Sequence, residues 1–216
     1  MTSTPAPIAD RFAARAATLS VNADPRVLAK LGAYFELLQR WNEKINLTSL
    51  GDTDEAVDRL VMEPLVAASF LPHNGRLVDI GSGGGSPAIP LAIALNASHL
   101  TMIESRGRKA AFLREALRVL DLPGSVESDR AETLANSAAY EGTAQIVSVR
   151  AVRMTSQLSA AVAGFLVVGG ILALFSKHSE LIPDGFKPAG AHALVPATQS
   201  YLHCFRRSSD VPRGTP

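Results

Sequence analysis

Apolar residues recur at helical spacing at Val27, Leu28, Leu31, Tyr34, Phe35, Leu38 and Trp41. Asp24 suits a helix cap and Pro25 a first helical residue, so an amphipathic helix ending near Asn46 is predicted. Asp52, with Glu55 three residues on, marks a second helix start, and Pro72 closes that helix. From Arg76 the pattern changes to short apolar strands alternating with helices. RLVDI precedes PLAIALN, LTMIE precedes KAAFLREALRVL, SVES follows, QIVSV precedes a helix through Leu166, and ILALF comes next. Such alternation means βαβ units and a parallel sheet. AHALV and YLHCF, with no helix pattern between them, predict an antiparallel pair on the sheet edge and bring the strands to seven. The expected fold is a doubly wound α/β sheet preceded by helices.

The apolar run at 160–175, AAVAGFLVVGGILALF, falls short of the roughly 20 residues a bilayer span needs. Gly169 and Gly170 divide it into a helix-like half and a strand-like half, which reads as buried core. The start, MTSTPAPIADRF, has no basic stretch leading into an apolar run, so a cytoplasmic protein with no membrane partner is expected. Cys204 is the only cysteine, which excludes an intrachain disulfide and a CxxC metal site. The histidines have no metal-ligand spacing, so no metal is expected. Lysine and arginine number 21 against 20 aspartates and glutamates, and a net charge of +1 rules out a wholesale basic surface. Contact with RNA would have to be local, as around Arg106, Arg108, Lys109, Arg114 and Arg118, where a solvated helix face is the plainer alternative.

Residues 77–90, LVDIGSGGGSPAIP, carry the chemistry. In a doubly wound sheet the first strand-to-helix turn is the usual ligand seat, and this loop occupies it. Four of the five residues 81–85 are glycine, more than a tight turn requires. Gly81, Gly83 and Gly85 let a ligand approach the main chain, and Ser86 and Pro87 open a helix whose free N–H groups face the same point. The spacing Gly83-x-Gly85-x-x-Ala88 also fits a dinucleotide site. Asp79, at the end of the first strand, favours a ligand bearing an ammonium, as S-adenosylmethionine does and NAD does not. Glu104, closing the second strand, can accept from both hydroxyls of a ribose and suits either ligand.

RWNEKINLTSL, LVDIGSGGGSPAIPLAI, ESRGRKAAFLREALRVL, the RAE at 130–132 and the VRAV at 149–152 together resemble the ribosomal small-subunit RNA methyltransferase G family, also called glucose-inhibited division protein B. The five blocks keep their order and spacing from about residue 20 to 207. The resemblance implies a Rossmann-like, S-adenosylmethionine-dependent methyltransferase with a helical N-terminal extension at 1–73 and a catalytic core at 74–216, forming one compact unit. The implied reaction is methylation of N7 of one guanine in small-subunit (16S) ribosomal RNA, as free RNA or as the 30S particle.

Carried over by motif, Gly81, Gly83, Gly85 and Ser86 would line the cofactor's methionine end beside Asp79, with Glu104 on the ribose. Ala131 and Glu132 would flank the adenine. Arg150 would sit at the end of the fourth strand facing the reaction, as the catalytic candidate that positions cofactor or base. Arg130 and Lys177 match basic positions near RNA, and an ion pair of Arg130 with Asp129 or Glu132 is the plainer alternative. The chain departs from the family pattern at Leu60, Glu63, Pro64, Ala88, Val149 and His178.

Guanine N7 has a free lone pair and needs no proton removed, consistent with the lack of an evident general base. Three other functions remain open at this point. A nicotinamide-dependent oxidoreductase would need a proton relay that Tyr140 and Tyr201 do not supply. A cofactor-binding ribosome module without turnover, or a small-molecule methyltransferase, is compatible with the altered positions. A monomer is expected, because no long apolar helix is left unpaired.

Overall fold

The computed structural model describes residues 8–178 and 181–208. Its elements in chain order are α1 (Ile8–Thr18), α2 (Pro25–Asn42), α3 (Asp54–Val57), a π-helical turn (Asp58–Met62), α4 (Glu63–Ala68), β1 (Arg76–Ile80), α5 (Ala88–Leu95), β2 (His99–Ile103), α6 (Gly107–Val119), β3 (Gly124–Glu127), α7 (Ala131–Leu134), β4 (Ala144–Arg150), α8 (Ser156–Phe165), β5 (Leu166–Ser176), β6 (Phe186–Ala193), a 3-10 turn (Pro196–Thr198) and β7 (Tyr201–Arg207). The seven strands form one sheet in the order β3-β2-β1-β4-β5-β7-β6. Strands β1 to β5 are parallel, and β7 pairs antiparallel with both β5 and β6. The order reverses between β1 and β4, so the crevice beyond the carboxyl ends of these two strands is the ligand seat of the fold.

Alternation along the strands feeds two cores. Leu77, Leu100, Met102, Ile146, Ala173, Leu202 and Cys204 pack on one face with α1, α2 and α4 to α6. Val78, Ile80, Ile103, Val147, Val149, Leu172 and Leu174 pack on the other with α7 and α8. The N-terminal helices complete the first core: Phe12 and Phe35 are fully buried and meet edge to face at 5.7 Å.

Several boundaries differ from expectation. Helix α1 lies in the stretch expected to be helical; Ile8, Phe12 and Ala16 recur every four residues and face the core, but no cap marks its bounds in the sequence. Helix α2 ends at Asn42, whose Oδ1 accepts from the N–H groups of Leu47 and Thr48 and turns the chain there. The second start is capped by Thr53, not Asp52, through a hydrogen bond from Ala56 N, and its helix ends at Ala68, before Pro72. Gly169 and Gly170 lie inside β5, not between a helix and a strand. There the pairing jumps from Ala144–Leu166 to Ile146–Ile171, an excursion in which Gly169 takes φ +78°. Strand β6 begins at Phe186 and ends at Ala193, earlier at both ends than AHALV suggested. No helix among the described residues is long and apolar enough to cross a membrane.

Candidate functional site

Strand register brings the site's polar side chains into one place. Leu77 and Ile146 belong to the core on the N-terminal helices' side, so Asp79 on β1 and Ser148 and Arg150 on β4 face that side too. Asp79 and Ser148 are direct cross-strand partners, and the Ser148 hydroxyl donates to Asp79 Oδ1 at 2.5 Å. One row further, Arg150 lies opposite Phe175 of β5, with its guanidinium carbon 4.7 Å from the ring centroid.

Asp79 is only 1% exposed, and burial pushes its carboxyl up to about 6, against the opposing pull of Ser148, Ser82 and Arg150. A carboxyl raised from 3.8 to about 6 contributes stability that is full below pH 4 and is lost as pH rises through 6, on the order of ~3 kcal/mol. Asp79→Asn is therefore expected to equal the parent protein at pH 4 and to exceed it by up to ~3 kcal/mol at pH 7.5. Urea unfolding at both pH values checks this, and a variant less stable at pH 7.5 than the parent would contradict it.

The glycine loop is held from both sides. Glu104, buried at the end of β2, accepts from Gly83 N at 2.9 Å and from Arg106 N at 2.8 Å. Tyr34 of α2, fully buried, donates from its phenol to Gly84 O at 2.7 Å, and burial pushes that phenol up so that it remains a donor. Gly81, Gly83 and Gly85 all have φ between +52° and +84°. A Cβ on Gly85 would meet Ile89 at 2.7 Å, whereas one on Gly83 would meet nothing nearer than Gly81 O at 3.8 Å. Packing thus requires glycine at 85, while at 83 a side chain would meet only ordinary contacts, Gly81 O at 3.8 Å and Lys109 Nζ at 3.9 Å. Ser86 donates its hydroxyl to Leu60 O at 2.9 Å, so it faces the helical arm rather than the open side of the loop.

A cleft of about 820 Å³ opens at the ends of β4 and β5, lined among others by Arg150, Met154, Phe175, Lys177 and His178; no glycine-loop residue lines it, and Arg150 links the two, with Nη1 3.4 Å from Ser86 Oγ. Arg150 forms its wall with both amino groups engaged: one donates to Arg59 O at 2.7 Å, the other to Glu63 Oε2 at 2.7 Å. In the sequence Glu63 stands out only as a departure from the family pattern. It lies 87 residues from Arg150, and no local signal links the two.

The remaining predicted residues spread along the same edge of the sheet. Ala131 is buried and Glu132 exposed at the start of α7, just beyond β3. Arg130 is exposed beside them and, among the described residues, pairs with neither Asp129 nor Glu132 within ion-pair distance. Lys177 is exposed at the cleft mouth, on the opposite flank from Arg130. In the basic cluster of α6, Arg118 pairs with Glu115, and Arg114 bonds Val126 O and Ser128. Of the positions that depart from the family pattern, Leu60 and Glu63 touch the site directly, His178 lines the cleft, and Pro64, Ala88 and Val149 are buried. No group of three or more possible metal ligands occurs among the described residues.

Solved structures share this architecture at low identity. A SAM-dependent methyltransferase from Aquifex aeolicus matches with a TM-score of 0.53 at 12% identity, over 72% of this chain and 94% of that one. The [4+2]-cyclase SpnF matches with a TM-score of 0.56 at 16% identity, over 83% and 93%. One scaffold thus carries two chemistries, and the likeness establishes the fold alone. The sequence is more specific. The family model described as rRNA small subunit methyltransferase G matches residues 27–181. The protein named ribosomal RNA small subunit methyltransferase G from Xanthomonas axonopodis pv. citri is 38% identical over 175 residues, covering 81% of this chain and 76% of that protein. Its namesake from Rhodopseudomonas palustris is 36% identical over 177 residues, covering 81% and 78%. With a family match across most of its length and relatives of this identity, the chain belongs to the rRNA small subunit methyltransferase G family.

Proposed function

We infer that the protein transfers a methyl group from S-adenosylmethionine to N7 of a guanine in small-subunit (16S) ribosomal RNA. The observation that carries this reading is the glycine loop at the strand-order switch, flanked by buried Asp79 and Glu104, in a chain whose relatives are named for this RNA. The residues present fit the cofactor. The missing side chain at Gly83 lets a ligand approach the main chain, Asp79 would pair its buried carboxylate with an ammonium, and Glu104 keeps lone pairs for two ribose hydroxyls. Gly81, Gly83, Gly85 and the main chain of Ser86 would hold the methionine end, and Ala131 and Glu132 would flank the adenine. Arg150 would wall the methyl-transfer path, and Arg130 and Lys177 would meet RNA phosphates.

S-adenosylmethionine supplies an electrophilic methyl on a sulfonium. What the chain has to do is hold the base in line with it and exclude water. Met154, Phe175 and Leu174 give the cleft apolar walls, and its Glu63 carboxylate is already paired with Arg150. A nucleophile with a free lone pair suits such a site. Cys204 is buried in β7 away from the cleft lining, and burial pushes its thiol up to about 11, which argues against a thiolate route to a pyrimidine carbon.

Residues 1–73 would act as a helical extension and 74–216 as the catalytic core of one compact monomer working in the cytoplasm. The shared core of α1, α2 and the sheet supports the single unit. Calorimetric titration tests the cofactor: S-adenosylmethionine is expected to bind and NADH not to bind. Because Asp79 ionises near 6 and the ligand ammonium favours the ionised form, affinity should rise between pH 5 and 7. Binding of NADH alone would overturn the reading.

A further inference from the structure

Three separate parts of the chain meet at Glu63. The side chain opens α4, is 2% exposed, and uses both carboxylate oxygens. Oε2 accepts from Arg150 Nη2 at 2.7 Å, and Oε1 accepts from the Ser200 hydroxyl at 2.6 Å. Ser200 immediately precedes β7, and its oxygen lies 2.9 Å from Thr198 Oγ1, which donates to Val195 O. Arg150 is held again by Arg59 O at 2.7 Å, with Ser86 Oγ at 3.4 Å from the same amino group and the Phe175 ring against its face. The guanidinium is thus fixed in plane by two helical-arm acceptors and out of plane by an aromatic ring. It stands where the glycine loop, through Ser86, adjoins the cleft.

We propose that Glu63 is a positioning residue for methyl transfer, acting through Arg150 to fix the wall between the cofactor loop and the base cleft. The inference rests on the methyl-transfer reading of this site. Its physical basis is that Arg150 is almost enclosed, with 17% side-chain exposure, while Glu63 is its one ion-pair partner among the described residues. Burial disfavours the charged guanidinium, and the nearby Glu63 charge counters it. Removing that charge leaves a buried cation held in plane by one carbonyl and a distant hydroxyl, with only the Phe175 ring against its face to keep it from swinging toward solvent in the cleft. A shift of about 1 Å at such a wall is enough to lower turnover about 100-fold without removing any contact to substrate.

The test is a double-mutant cycle on Glu63→Gln and Arg150→Met, read as kcat and KM for small-subunit RNA together with the cofactor Kd. Glu63→Gln is expected to lower kcat about 10- to 100-fold while KM and Kd stay within about 3-fold. In the Arg150→Met background the same change is expected to alter kcat by less than about 2-fold, because its target is gone. Ser200→Ala, which removes the brace but keeps the charge, guards against a folding artefact and is expected to lower kcat by about 3-fold. Losses that multiply in the double variant, or a Glu63→Gln effect confined to KM or Kd, would overturn the inference while leaving the reaction intact. Absence of methyl transfer by the unsubstituted protein would overturn the functional reading, and this inference with it.

Discussion

Replacing Glu104 with alanine is expected to weaken S-adenosylmethionine binding by more than about 100-fold, which in a calorimetric titration is loss of the signal. Two effects combine. The ribose would lose two hydrogen bonds to a charged acceptor, each worth about 1.5–3 kcal/mol. The loop would also lose its brace, because Gly83 N and Arg106 N both point at this carboxylate. Stability should fall by about 2 kcal/mol, less than two fully buried orphan donors would cost, because Arg106 is exposed and water replaces the acceptor there. Glu104→Gln keeps one acceptor oxygen and is expected to fall between the two, near a 10-fold loss. A Glu104→Ala variant that binds within about 3-fold of the parent would mean that no ribose rests on this carboxylate.

The second large effect is expected at Gly83, and it separates a ligand seat from a tight turn. Gly85→Ala would disturb folding with or without a ligand, because its Cβ collides with Ile89. Gly83→Ala meets no such obstacle: the strain of a left-handed residue costs about 1–2 kcal/mol and lowers the melting temperature by a few degrees. The methyl group would nevertheless stand in the space through which a cofactor reaches the main chain, so affinity is expected to fall about 30-fold or more. Calorimetry on the folded variant, with melting as the control, gives the answer. Unchanged affinity in a folded Gly83→Ala protein would mean that this glycine serves the turn alone.

The parts of this architecture that are local in sequence were legible from it. Alternating strands and helices, the glycine loop after β1, and the antiparallel pair β6 and β7 each announce themselves within a dozen residues. What escaped depends on which strands become neighbours. Asp79 reads as a strand-end carboxylate with no partner in the chain, yet strand order places Ser148 beside it across 69 residues, and it is buried there. Arg150 reads as a guanidinium free to meet a base, yet its two amino groups are held by the helical arm, through Arg59 and Glu63. The bounds of α1 escaped because neither end carries a capping signal such as Asp24–Pro25 gives α2. The glycines of β5 misled because a bulge and a chain break use the same residue for the same left-handed freedom.

The most direct test is transfer of labelled methyl from S-adenosylmethionine to small-subunit RNA from cells lacking this protein, offered both as free RNA and as assembled 30S particles. Nucleoside analysis of the product is expected to find the label in 7-methylguanosine, from at least one of the two substrates. Label in any other nucleoside, or none from either substrate although the cofactor binds, would contradict the assignment.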